Sequence, residues 1–153
     1  MTALENRIPP PIITAIFALI MWLLSSFLTP INMAIEFRIG AAVIVAVLAV
    51  LFLISGGISF RLAKTTVNPL KPESASSLVV SGVFKISRNP MYVGFALLLL
   101  AWCVYLSAPA LLMIVLLFTA VITRFQIIPE ERAMLKLFGD EFVAYQQSVR
   151  RWL

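Results

Sequence analysis

The sequence predicts an all-α integral membrane protein: four transmembrane helices, the third and fourth a tight hairpin, followed by cytoplasmic C-terminal amphipathic helices. Three observations predict it. The 153 residues are 61% hydrophobic and 12% charged, with a mean hydropathy of +1.02, and that charged share is about half that of a soluble domain. The charge-free intervals have the length of membrane spans. The charges gather at one set of interval ends. A single domain over 1–153 is expected.

The elements follow in order. No charge occurs from Ile8 to Ile35, and prolines bracket the interval (Pro9, Pro10, Pro11, then Pro30), so a first span is expected over 12–28. Arg7 ahead of an apolar run also resembles a secretion signal. The run is longer than a signal's apolar core, and Ser-Ser-Phe-Leu-Thr-Pro is a poor cleavage site, so a retained span is expected. Ile39 to Phe60 is again charge-free and fits a second span over 39–60, with Gly56-Gly57 near its end as a helix-packing element. Asn89 to Thr123 is too long for one span, and Ser107-Ala108-Pro109 near its middle stops one helix and starts another. A third span over 90–106 and a fourth over 109–126 are therefore expected, both short.

Arg61, Lys64, Lys71, Lys85 and Arg88 lie between the second and third spans, and Arg132, Lys136, Arg150 and Arg151 lie in the tail. The opposite connections carry only Glu36 and Arg38. Positive charge on the inside makes the 61–89 loop, the tail and both termini cytoplasmic. Prolines and serines argue against a continuous helix in that loop, and Leu78-Val79-Val80 is an apolar patch that docks on something. In the tail, Pro129 suits a first helical position, followed by Glu130 and Glu131 at the positive end of the helix dipole. Apolar residues recur at helical spacing from Met134 to Trp152, and Gly139-Asp140 punctuates the run, which predicts two surface helices over 129–152.

Composition excludes several functions. There is no histidine, so the commonest general base and metal ligand are absent, and no metal site is expected. The single Cys103 sits in an apolar run as a core residue. Too little of the chain is polar to build a nucleic-acid surface, and no glycine-rich dinucleotide loop, P-loop, zinc spacing or Ser-His-Asp set occurs.

What remains is a polar, basic, turn-rich stretch from Gly82 to Gly94 that runs into the third span, and the acidic pair Glu130-Glu131 beyond the fourth. Taken singly, Arg88-Asn89-Pro90-Met91-Tyr92 reads as an interfacial anchor, and Glu130-Glu131 as ordinary helix-start acids. Together, two clusters of opposite sign at adjacent span ends suit a site that holds a zwitterion against a lipid-soluble molecule. The third helix's N-terminus would add free N–H groups for an anion. Arg124, about a turn inside the fourth span, either snorkels or holds an anionic substrate head.

The ordered set Leu78-Val79, Gly82-Val83-Phe84, Arg88-Asn89-Pro90-Met91-Tyr92-Val93-Gly94, a hydrophobic hairpin, Glu130-Glu131, Leu137-Phe138-Gly139-Asp140-Glu141-Phe142 and Val149-Arg150-Arg151 resembles the isoprenylcysteine carboxyl methyltransferase and phospholipid methyltransferase superfamily. The likeness covers roughly Lys64 to Leu153; the first two spans match only by type. It implies an S-adenosylmethionine-dependent membrane enzyme that methylates lipid-borne groups at the cytoplasmic face. It also implies that Leu78, Val79, Phe84, Asn89, Pro90, Met91 and Tyr92 line the cofactor site and that Glu130 contacts the cofactor. Many eukaryotic members have histidine where Asn89 stands and tyrosine where Phe84 stands, and prenylcysteine-directed members often have arginine where Gln126 stands.

The reading that joins residues and resemblance is methylation of a carboxylate on a lipid-soluble substrate, which needs no base. Gly82 and Arg88 join the cofactor set, with Arg88 and nearby backbone N–H groups on the cofactor carboxylate, Glu130 on its ammonium, and Phe84 and Tyr92 on adenine or sulfonium. Arg124 would sit near the substrate head. N-methylation of an aminophospholipid is the alternative; there Glu131 or Tyr92 would be the base. A non-catalytic membrane adaptor and a membrane reductase are further alternatives. A chain this short fits a multi-pass protein of a prokaryotic inner or plasma membrane.

Overall fold

The computed structural model describes Glu5, residues 7–63 and residues 76–153. The segment 64–75, part of the predicted cofactor loop, lies outside the described residues. Among those described there is no strand.

Helix α1 (Pro10–Ser25) opens on proline, whose missing N–H matters little in a first turn. It ends where the Ser25 and Ser26 hydroxyls donate to the carbonyls of Trp22 and Leu23 at 2.6 and 2.8 Å. It therefore starts and stops two to three residues earlier than expected. Helix α2 (Ile35–Leu62) is longer than expected at both ends, with Glu36 in its first turn and Arg61 in its last, each matched to the helix dipole. Helix α3 (Pro90–Leu106) has the expected bounds and ends at Ser107 in the left-handed conformation (φ 55°). A 3-10 turn (Pro109–Leu111) then leads into α4 (Leu112–Ile122).

In place of the break at 126 that the sequence predicts, a π turn (Thr123–Ile127) carries the helix without interruption into α5 (Ile128–Ser148). Proline in a helix interior lacks an N–H and collides with the carbonyl four residues back. A wide turn immediately before Pro129 removes that conflict, so the helix continues instead of stopping. The expected punctuation appears further on. Gly139 adopts φ 48°, ψ −123° and kinks α5 there.

Helix α3 packs on α1, α2 and α4. Gly94 permits the close approach to α2: a Cβ there would lie 2.7 Å from Leu53 Cγ and 2.9 Å from the Ala49 carbonyl oxygen. Met21, Leu99, Leu111, Phe118, Ile122 and Ile127 form the fully buried core between α1, α3 and α4. One end of the bundle is closed where Ile31 N–H donates to the Ser107 carbonyl at 2.7 Å. The other end gathers the start of α1, the end of α2, the start of α3, the α4–α5 junction and the C-terminal residues.

Helix α2 and the continuous helix Pro109–Ser148 are long and apolar enough to cross a membrane; α1 and α3 are shorter apolar helices. Large apolar side chains stand exposed along α1 and α2, among them Trp22, Leu23, Ile44 and Leu51. The apolar part of Pro109–Ser148 ends at Thr123, and α5 is polar from Glu130 onward.

Candidate functional site

At that second end lies a cavity of about 380 Å³ with mainly apolar walls, within the size range of small-ligand sites. Gly82 (φ 61°) starts a 3-10 turn (Gly82–Lys85) that delivers Phe84 into the wall. Phe84 is buried, meets the Phe60 ring edge-on at 5.3 Å, and its carbonyl accepts from the Tyr145 hydroxyl at 2.6 Å. Val79, Phe84, Phe142 and Tyr145 form a small core beneath the cavity, which is where the apolar patch of the loop docks. Burial pushes the Tyr145 hydroxyl up to about 12, against the opposing influence of Arg88, so it stays a neutral donor.

Arg88 is pulled into the protein rather than out to the interface. It donates to the carbonyls of Gln146 and Val149 at 2.9 and 2.8 Å and to Glu131 Oε1 at 2.7 Å, with its side chain 10% exposed. Its Nε–H is buried and has no hydrogen-bond partner among the described residues. Arg151 closes the other side of Glu131, with Nε and Nη2 at 3.0 and 2.7 Å from the two carboxylate oxygens. Burial alone would raise the Glu131 carboxyl; the hydrogen bonds from Arg151 and Arg88 outweigh it and hold the group below the usual range. Glu131 is thus an ionised structural anion.

Glu130, one residue earlier, has the opposite environment. Among the described residues no cation meets it; its Oε1 accepts from the Tyr92 hydroxyl. Burial pushes its carboxyl up to about 8, against the lowering effect of the Tyr92 hydrogen bond and with a small contribution from the neighbouring Glu131 charge. Two adjacent glutamates are therefore driven in opposite directions.

Of the residues singled out in the sequence, Leu78, Val79, Phe84, Arg88, Asn89, Pro90, Met91, Tyr92, Glu130 and Glu131 line this one cavity. Asn89 spends its amide Nδ2 on the Arg151 carbonyl at 2.9 Å, and its backbone N–H donates to the buried Ser87 hydroxyl oxygen at 3.1 Å. Gly82 is not in the wall and serves the turn. Arg124 is not in the wall either: its Nη1 lies 3.1 Å from Glu5 Oε1, while Arg132 reaches the other Glu5 oxygen at 2.8 Å. Gln126 is buried in the π turn and donates to the Ile8 carbonyl at 2.9 Å.

Pro9, Pro10 and Pro11, together with Phe60, Ser77, Phe95, Met134, Phe142 and Tyr145, complete the wall and were not singled out from the sequence. Met134, Phe142 and Tyr145 belong to the apolar stripe of the tail, which was visible as helical spacing. Nothing local to the proline run marks it as a wall.

The cavity therefore offers a buried acid that meets no cation among the described residues, a buried Arg88–Glu131–Arg151 ion cluster, and aromatic walls. The sequence model of the phospholipid methyltransferase family matches residues 37–141, a stretch that holds all but the first two residues of α2, the Gly82–Lys85 turn, the Arg88–Tyr92 segment and both glutamates. A 63-residue stretch is 44% identical to an uncharacterized protein of Haemophilus influenzae, covering 41% of this chain and 100% of that protein. With its family model spanning more than half of the sequence, this chain belongs to the phospholipid methyltransferase family.

Proposed function

We propose that this protein is an integral-membrane S-adenosylmethionine-dependent methyltransferase that methylates a carboxylate of a lipid-soluble substrate at the cytoplasmic face. It has four spans in this reading, with both termini on that side. The observation that carries it is the pairing, in one cavity wall, of Glu130, which meets no cation among the described residues, with the ion-paired Arg88. A zwitterionic amino-acid moiety needs an acid for its ammonium, which Glu130 suits, and donors for its carboxylate, a role this reading gives to Arg88 and the backbone N–H groups at the start of α3. Phe84, Tyr92 and Phe142 provide faces for an adenine and for a sulfonium, where a cation over a ring gains roughly 0.5–2 kcal/mol.

When bound, S-adenosylmethionine supplies an activated methyl group. The chain's residues supply position and dryness. Arg88, fixed by Glu131 and two tail carbonyls, ties the start of α3 to α5, so both walls of the cavity hold one spacing. Tyr92 orients the Glu130 carboxyl. The apolar wall excludes water, which favours a transfer in which a carboxylate and a sulfonium neutralise each other. In-line positioning of this kind can contribute several kcal/mol.

One observation favours a second reading, N-methylation of an aminophospholipid. An amine must lose a proton before it attacks, and the Glu130–Tyr92 pair is a proton acceptor in the wall, whereas Glu131 is held by two arginines. With S-adenosylmethionine saturating at every pH, the rate should rise with pH for an amine and stay level through neutrality for a carboxylate.

Glu130→Ala and Tyr92→Ala should each abolish S-adenosylmethionine binding, measured by calorimetry in detergent. Wild-type affinity in both would reject the cofactor assignment. Transfer of a labelled methyl group into a total lipid extract, followed by identification of the labelled species, decides the acceptor.

A further inference from the structure

Outside the cavity wall, two arginines converge on one carboxylate. Arg124 Nη1 lies 3.1 Å from Glu5 Oε1, and Arg132 Nη2 lies 2.8 Å from Glu5 Oε2. The carboxylate is largely covered, with its side chain 13% exposed, whereas the arginine side chains are 44% and 52% exposed. Arg124 is the first residue after the apolar run that ends at Thr123. In a bilayer the cluster therefore stands at the level of the lipid headgroups.

The same contact holds part of the cavity in place. Gln126 Nε2, in the π turn, donates to the Ile8 carbonyl at 2.9 Å, and Pro9, Pro10 and Pro11 follow directly as one wall of the cavity. The Ile12 and Ile13 N–H groups donate to the Pro9 carbonyl at 2.9 and 3.3 Å, so that wall is continuous with the first turn of α1. Glu5 and Ile8 thus fasten the proline wall to the turn that leads into α5, the first through ion pairs and the second through one hydrogen bond.

An arginine fork pairs with a phosphate as well as with a carboxylate, and a phosphate has oxygens enough for two forks. Two guanidiniums held this close repel each other unless an anion lies between them. Departure of Glu5 therefore costs least when another anion takes its place, and both cations are exposed enough to receive one.

We propose that Arg124 and Arg132 form a phosphate-binding site at the membrane surface, that Glu5 occupies it in this structure, and that a phosphate anion displacing Glu5 frees the proline wall of the cavity. The site lies outside the cavity, so its occupant is an effector and not the methyl acceptor. The consequence for cofactor exchange rests on the methyltransferase reading above; the exchange of anions does not. An anionic phospholipid is one source of the phosphate, drawn to surface arginines as polybasic segments are, and inorganic phosphate is the other.

The test compares the full chain in nanodiscs of phosphatidylcholine alone, of equal parts phosphatidylcholine and phosphatidylglycerol, and of phosphatidylcholine with inorganic phosphate against chloride at matched ionic strength. Hydrogen exchange at the Ile12 and Ile13 amides reports on the Pro9 anchor, with α3 as the fold control. Exchange about fivefold faster with phosphatidylglycerol is expected, the order set by solvent-accessible ion pairs. A response to inorganic phosphate alone assigns the site to a soluble anion, and exchange that neither anion changes overturns the proposal. Glu5→Gln, and Arg124→Gln combined with Arg132→Gln, should exchange at the faster rate in every disc; a phosphatidylglycerol response that survives the double substitution overturns the site. Lys136→Gln removes an exposed cation elsewhere on α5 and should keep the wild-type response; its loss there reduces the effect to bulk surface charge and overturns the site as well. S-adenosylmethionine should dissociate faster from the phosphatidylglycerol discs than from phosphatidylcholine alone, and at one rate from both in Glu5→Gln. Equal rates in the wild type overturn the control of the cavity. Absence of S-adenosylmethionine binding in every disc would remove the methyltransferase reading and leave the exchange result standing.

Discussion

The Glu130 carboxyl sets up a proton-coupled binding experiment. Only its ionised form complements an ammonium, and burial holds it at about 8. Near pH 8 about half the molecules carry the charge and near pH 6 about one in a hundred does, while the ligand's α-ammonium goes from about 40% to nearly full protonation, so apparent affinity for S-adenosylmethionine should fall about 20-fold over that range, or roughly 2 kcal/mol. Calorimetric titration at pH 6, 7 and 8, in pairs of buffers with different protonation enthalpies, measures both the affinity and the proton released on binding. Glu130→Gln should bind weakly and without the slope. A wild-type affinity that is level across the range, or a slope that persists in Glu130→Gln, would refute the assignment. Stability has its own sign. The native state keeps a proton that the unfolded chain releases between its ordinary value of 4.5 and about 8. Stability from this group therefore declines as pH rises through that window and is level above it. Thermal unfolding of Glu130→Gln should lack that decline.

Two further substitutions test the frame. Glu131→Gln leaves the 10%-exposed Arg88 without its counter-charge and should cost about 3 kcal/mol, the size seen when one member of a buried pair is removed; the better exposed Arg151 contributes little to that figure. An unfolding midpoint in detergent equal to wild type would contradict it. In the wild type, the depressed Glu131 carboxyl contributes stability that is present above about pH 4.5 and is lost as pH falls further, opposite to Glu130. Gly94→Ala would force a Cβ to within 2.9 Å of the Ala49 carbonyl oxygen and 2.7 Å of Leu53 Cγ, separating α2 from α3 at a cost of about 1–3 kcal/mol, read from the same unfolding curves.

The sequence was most legible where local chemistry sets a boundary. Pro90 and Ser107-Ala108-Pro109 define α3 at both ends, and the structure agrees with them. Charge-free runs are poor rulers by comparison: α1 and α2 end where hydroxyl back-bonding and dipole-matched charges allow, not where the nearest charge lies. The fusion of α4 with α5 was not legible, because Pro129 alone looks like a start and the wide turn before it has no compositional mark. For the cavity, the basic turn and the acidic pair were visible as clusters of opposite sign, and helix packing brings them together. Two features depended on contacts that span most of the chain. Arg124 meets Glu5, 119 positions away, and the proline run becomes a wall only once α1 docks beside α3. No window of residues contains such information.

The widened turn at Thr123–Ile127 also governs which glutamate does which job. A π turn holds one residue more than an α turn, so everything after Ile127 is rotated by about 100° from where an unbroken helix would aim it. Loss of a single residue there would restore regular winding and swing the next positions round the axis, presenting a different side chain to Tyr92 and to the two arginines. The division of labour between neighbours of identical chemistry is written in helical phase, and a one-codon deletion outside the cavity wall is the shortest mutational route to erasing it.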